Sequence, residues 1–151
     1  MSRDLSRAIS DRVERCRRDA DPCLLARLPS GFAIFAKYQP EAIVGGCMLL
    51  PDPVVPSLNA LDSAARAAFL LDFARLGDAL LAVTGCERVN YLILCNSVPE
   101  LHGHCVPRYA SEDPARRQRD PFEAYSFADA RVADPMGRDR DLIADLRAWF
   151  R

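Results

Sequence analysis

Apolar residues recur along the chain with two different periods. In residues 3–19, Leu5, Ile9, Val13 and Cys16 return every three to four positions among Arg and Asp. That is the spacing of one helical face, and Pro22 closes the segment. Residues 24–28 and 31–37 are short apolar runs on either side of a Pro-Ser-Gly turn, which predicts a β-hairpin. Gly45-Gly46 opens a third strand at 47–50, and Pro51 ends it. Three prolines and a Ser make 51–59 an ordered loop. The helical period then returns over 63–83, with Phe69, Phe73, Leu76 and Leu80 on one stripe, Asp62 or Ser63 as cap and Gly85 as stop. Residues 88–95 alternate and predict a central strand, Asn96-Ser97-Val98-Pro99 a tight turn, and 101–106 a returning strand ended by Pro107. Beyond Arg108 the chain is polar and interrupted by prolines to about residue 137, and 139–150 forms a last amphipathic helix. This order predicts a single α+β domain over 1–151. It has an antiparallel sheet of about five strands, one long helix, and flanking N- and C-terminal helices.

Composition narrows the class. The chain has 151 residues, half of them apolar and 27% charged, so it is globular and long enough for its own core. Its net charge of −1 disfavours bulk binding of a nucleic-acid polymer. Lys37 is the only lysine among 20 basic residues, an Arg surplus expected of a GC-rich bacterial genome and carrying no functional meaning. Six cysteines (16, 23, 47, 86, 95 and 105) are irregularly spaced without a CxxC pair. The charged N-terminus has no apolar h-region, and no run approaches the length of a membrane span. These features predict a reduced, cytoplasmic protein whose cysteines are mostly core residues, with no membrane partner.

Candidate chemistry collects in residues 90–109. His102 and His104 are the only histidines of the chain. On a strand, positions i and i+2 share a face, so Glu100, His102 and His104 are expected in a row about 6–7 Å apart. Leu101, Gly103 and Cys105 face the other way, and Gly103 admits close approach of another group. Two chemistries suit this pattern. A neutral imidazole attacks phosphorus if one ring nitrogen is free and the other is hydrogen-bonded to fix the tautomer. Alternatively, two histidines hold a metal with help from Glu100, Cys47 or Asp52, although none of these stands at a recognised ligand spacing. Arg116, Arg117 and Arg119 offer either an anion-binding loop or a solvated one, while Trp149 and Phe150 read as core or dimer contacts.

The stretch Leu101-His102-Gly103-His104-Cys105-Val106-Pro107-Arg108-Tyr109, behind a strand ending in Asn96, resembles the histidine triad (HIT) signature His-φ-His-φ-His-φ-φ. Gly46-Cys47-Met48-Leu49-Leu50-Pro51 looks like that family's Gly-His-x-Leu-φ-φ-Pro strand. The likeness covers residues 24–109 and is greatest to bacterial members labelled diadenosine-polyphosphate-hydrolase-like, leaving 3–19 and 110–151 as flanks. The resemblance implies a nucleotide hydrolase or nucleotidyltransferase that cleaves an α-phosphate bond of a dinucleoside polyphosphate or phosphoramidate, as a homodimer without cofactor or metal. By position, His102 matches the nucleophile, His104 the last triad histidine, Asn96 the residue contacting ribose or α-phosphate, and Arg108 the residue after the motif. Asp52 lies in the loop that faces the site in that family, as a substrate-binding candidate. The sequence departs from the pattern in three places. Glu100 stands at the first histidine, as a third catalytic candidate able to orient the neighbouring imidazole; Cys47 replaces the upstream histidine; and the turn before His102 is short and lacks Gly-Gln-Ser/Thr. A second reading therefore stands beside the enzyme: a catalytically reduced HIT-fold nucleotide-binding or scaffold protein.

Overall fold

A computed structural model describes residues 5–151. The first helix, α1 (Ala8–Arg17), is shorter than its apolar period, and the opening residues of the expected 3–19 segment lie outside the described part. The hairpin forms as expected from β1 (Leu24–Leu28) and β2 (Gly31–Phe35), although the second strand stops two residues early. Gly31 has φ +155°, and a Cβ there would meet the Leu50 carbonyl oxygen at 1.9 Å, so the turn needs glycine. Two residues of β3 (Tyr38–Gln39) lead to β4 (Cys47–Pro51). The long helix α2 (Ser63–Thr84) is capped by Asp62, whose side chain accepts from Ala65 N–H, and ends at Gly85 in the left-handed region.

The next two strands differ from expectation at their inner ends. β5 (Arg88–Leu92) stops three residues early, and β6 (Gly103–Arg108) begins after His102 and runs through Pro107. Between them, residues 93–102 form an irregular ten-residue loop rather than a tight turn. The reason lies in the partners on each side. Leu101 N–H donates to Val55 of the proline-rich loop, not to β4, so ladder pairing starts at Gly103. Pro107 pairs with Val89 beyond the end of the β4–β6 ladder, where its missing N–H costs nothing.

The five strands pair antiparallel throughout in the order β1-β2-β4-β6-β5. The fold class is thus α+β, as the pattern indicated. One face of the sheet is covered by α2 and by the last helix, α5 (Arg140–Trp149), around Phe35, Leu49, Phe69, Phe73, Leu76 and Cys105. Gly103 belongs to this face, and the group that approaches it is the Phe73 ring. The opposite face carries α1 over Phe32, Ile34 and Leu50. Toward β6 and β5 the same face is covered by the chain after Arg108. That segment folds into two short helices, α3 (Pro114–Arg117) and α4 (Pro121–Ala124), and a strand, β7 (Arg131–Val132), that pairs with β3.

All six cysteines are free thiols, five of them buried. Among the described residues, no helix is long and apolar enough to cross a membrane.

Candidate functional site

His104 lies on β6 opposite Met48 of β4 and Leu92 of β5. Directly opposed residues share a face, so His104 stands on the side of the sheet that carries α1 and α4. His102, just ahead of the strand, lies beside it, with ring centroids 5.1 Å apart at 77°.

His102 is almost fully buried, and its Nδ1 is 2.7 Å from the backbone carbonyl of Glu100. A carbonyl oxygen only accepts, so this contact assigns the ring proton to Nδ1 and leaves the lone pair on Nε2. Cys95 adds a second contact. It is held at φ +53°, and its Sγ lies 3.7 Å from His102 Nδ1 while donating to the His102 carbonyl at 3.6 Å.

His104 has a different environment. The Phe122 ring of α4 meets it edge-to-face at 5.0 Å, and Phe127 backs Phe122 at 4.5 Å. Burial pushes the His104 pKa down to about 4, and the neighbouring His102 adds to the shift. At neutral pH His104 is an uncharged imidazole that can offer one N–H donor and one acceptor.

The structure brings these two histidines together but sends the other expected side chains elsewhere. Glu100 does not line up with them, because the loop turns its carboxylate toward α1, where it accepts from Ser10 Oγ at 2.5 Å and from Ser10 N–H at 3.4 Å. What residue 100 offers the site is its backbone. The Asp52 carboxylate likewise turns to α1 and pairs with Arg17 Nε at 3.1 Å and with Arg17 Nη2. Arg108 is buried with every N–H engaged. Nε and Nη2 donate to Glu112, Nη1 to Asn90 Oδ1 and the Arg119 carbonyl, and Nη2 also to the Arg116 carbonyl. It clasps the segment after the strand and has no donor left for a ligand. Glu112, which also accepts from Tyr125 Oη, feels opposing forces: burial raises its pKa, but the Arg108 and Tyr125 hydrogen bonds outweigh that and hold it low. Asn96 is exposed on the loop.

Cys47 lies on the far face, opposite Cys105 in the core, and burial drives its thiol pKa upward; it does not take the place of an upstream site histidine. Arg116 stacks on Tyr125, while Arg117 and Arg119 make exposed pairs with Glu87 and Glu123. Among the described residues, no three His, Cys, Asp or Glu side chains are grouped so as to hold a metal ion. Ser10, Cys95 and Phe122 are the contacts that sequence patterning missed. Each comes from a different segment, and none belongs to a spaced motif.

No protein-family model matches the sequence, and no curated protein is significantly similar to it. Solved structures do match. A histidine triad protein from Bradyrhizobium japonicum superposes with a TM-score of 0.69 at 22% identity, over 89% of this chain and 95% of that one. A hypothetical histidine triad nucleotide-binding protein from Sulfolobus tokodaii gives 0.67 at 15% identity, covering 91% and 89%. A zinc-bound histidine triad family protein from Mycobacterium smegmatis gives 0.65 at 16% identity, covering 92% and 91%. At such identities the likeness is one of fold: this chain has the fold of the histidine triad proteins.

Proposed function

We propose that the chain is a nucleotide hydrolase or nucleotidyltransferase in which His102 Nε2 attacks the α-phosphorus of a nucleotide. The observation that carries this reading is the Nδ1 contact to the Glu100 carbonyl, because a nucleophilic imidazole needs its second nitrogen held and its first left free. In the first step the P–N bond forms while the bond from phosphorus to the leaving group breaks, the leaving group departing with the electron pair. In the second step water adds to phosphorus, the P–N electron pair returns to Nε2, and the water proton passes to solvent. His104, uncharged, supplies one N–H to a phosphoryl oxygen. Support comes from the fold, from the signature resemblance around His102 and His104, and from one fold neighbour, the Sulfolobus tokodaii protein, being named a hypothetical histidine triad nucleotide-binding protein.

Substrates of the dinucleoside polyphosphate or adenosine phosphoramidate class follow from the sequence resemblance. Incubation with a panel of both tests the reading. Turnover that disappears in His102→Ala supports it, and turnover that persists in that variant refutes it.

A second reading, binding without turnover, is favoured by the engagement of Arg108 and the turning of Asp52 and Glu100 toward α1. With every Arg108 N–H taken, that cation has no donor left for phosphate, and the two carboxylates are committed to α1 instead of orienting the imidazole or ligand. Saturable nucleotide binding with no product over the whole panel would establish it.

The proposed homodimer is supported by the open side of β5, which has no strand neighbour among the described residues. Tyr91 and Leu94 are exposed there, beside Leu70 and Leu81 on the α2 stripe that carries Gly77.

A further inference from the structure

The helix α1 lies outside the part of the chain that resembles a known family, yet it takes both acidic side chains expected at the site. One link reaches the nucleophile. Ser10 Oγ and Ser10 N–H both donate to the Glu100 carboxylate, while the carbonyl of the same residue accepts from His102 Nδ1–H. Residue 100 sits in the irregular loop 93–102, outside the strand ladder; one edge of the peptide unit that carries its carbonyl is held by the Leu101 N–H bond to Val55, and the Ser10 contacts tie residue 100 from the α1 side. The helix end of the link is rigid, since Ile9, Val13 and Cys16 are buried against Phe32, Ile34 and Leu50, and Val98 of the loop packs on the same cluster.

We propose that Ser10 is a positioning residue for His102: by anchoring the Glu100 carboxylate to α1 it fixes the Glu100 carbonyl, and that carbonyl selects the imidazole tautomer with Nε2 unprotonated. The assignment of a chemical role to Nε2 rests on the nucleophile reading above, whereas the control of the tautomer does not. Glu100 takes part through two different groups. Its side chain is tied to the helix and its backbone to the imidazole, so a carboxylate at this position serves the site without facing it.

The test uses full-length protein labelled with 15N at its two histidines, read by long-range 1H–15N correlation above pH 7. Turnover of adenosine phosphoramidate is measured in parallel. Wild type, Ser10→Thr and Glu100→Gln keep a side-chain donor and acceptor, and are expected to show one His102 tautomer, protonated at Nδ1. Ser10→Ala and Glu100→Ala are expected to give a tautomer mixture. With it kcat should fall roughly tenfold while KM stays within about twofold, because the lost interaction orients the reacting group rather than binding substrate. Arg7→Ala, which breaks only an exposed ion pair on the same helix, controls for unspecific loosening of α1.

An unchanged His102 spectrum in Ser10→Ala overturns the proposal, as does an equal change in Arg7→Ala. If Ser10→Ala shifts the tautomer while wild type turns nothing over, Ser10 keeps its positioning role and the nucleophile reading falls alone.

Discussion

Phe122→Ala should raise the His104 pKa and remove much of the protein's sensitivity to mild acid. The imidazole titrates near 4 rather than at its ordinary 6.5. Burial is the main cause, and Phe122 is the one ring outside the pair of histidines that packs on it. In the unfolded chain the group regains its ordinary value, so between pH 6.5 and about 4 the unfolded state binds the extra proton. The stabilisation is thus fully present above pH 6.5 and is lost as pH falls toward 4. The whole gap corresponds to about 3 kcal/mol at roughly 1.4 kcal/mol per pH unit. Truncating Phe122 opens one of two ring contacts to water, which should move the midpoint up by about one unit and shrink the acid-sensitive part by about 1.4 kcal/mol. Lost packing of this half-buried ring costs a further 1–2 kcal/mol or so at every pH. Because there are only two histidines, an NMR titration resolves both without ambiguity once His102→Gln identifies one of them. Urea denaturation at pH 4.5 and pH 7.5 separates the two contributions, and Phe122→Leu, which keeps most of the wall, should retain most of the depression. The reasoning fails if wild-type His104 titrates near 6.5, or if Phe122→Ala leaves its midpoint unmoved.

Other outcomes can be checked with the same preparations. Glu112→Ala strands the buried Arg108 guanidinium and should cost about 3–5 kcal/mol in urea denaturation, with proteolysis appearing first in residues 109–127. Gly103→Ala places a methyl 2.7 Å from the Phe73 ring and should destabilise by about 1–3 kcal/mol, an unchanged denaturation midpoint counting against that close packing. Leu94→Asp puts a charge beside the open β5 edge and should halve the mass measured by light scattering, if two copies meet there.

The sheet and its long helix were legible because their signals are local. The Phe69–Leu80 stripe, the Asp62 cap and the Gly85 stop specify α2 almost residue by residue. The histidine pair was legible for the same reason, being two residues apart on what proved to be the entry to β6. The inner strand ends were misread where a distant partner decides: Leu101 bonds to Val55, forty-six positions back, and no period along the chain encodes that choice. The polar tail beyond Arg108 had no readable period either. Its fold comes from one buried arginine taking carbonyls at 116 and 119 together with Glu112, a set that becomes meaningful only when the chain is closed around it.

The charged residues near the motif share a physical logic that resemblance by position misses. A buried imidazole in a strand-loop junction has two requirements, a fixed ring and a dry environment, and neither calls for a charged side chain beside it. The fixed ring is met by the Glu100 carbonyl and the dry environment by Phe122. The acidic side chains are then free to join elements together: Glu100 and Asp52 bring α1 to the two loops bordering the site, and Glu112 with Arg108 brings in the segment that carries Phe122. A glutamate at position 100 therefore does more to hold the loop that carries His102 than to change what the His102 ring touches. On that argument Glu100→His, which restores the signature, should lower turnover rather than raise it, because it gives up the Ser10 anchor and adds nothing at Nδ1. A kcat equal to or above wild type in that variant would show that the side chain at position 100, and not its backbone, governs His102.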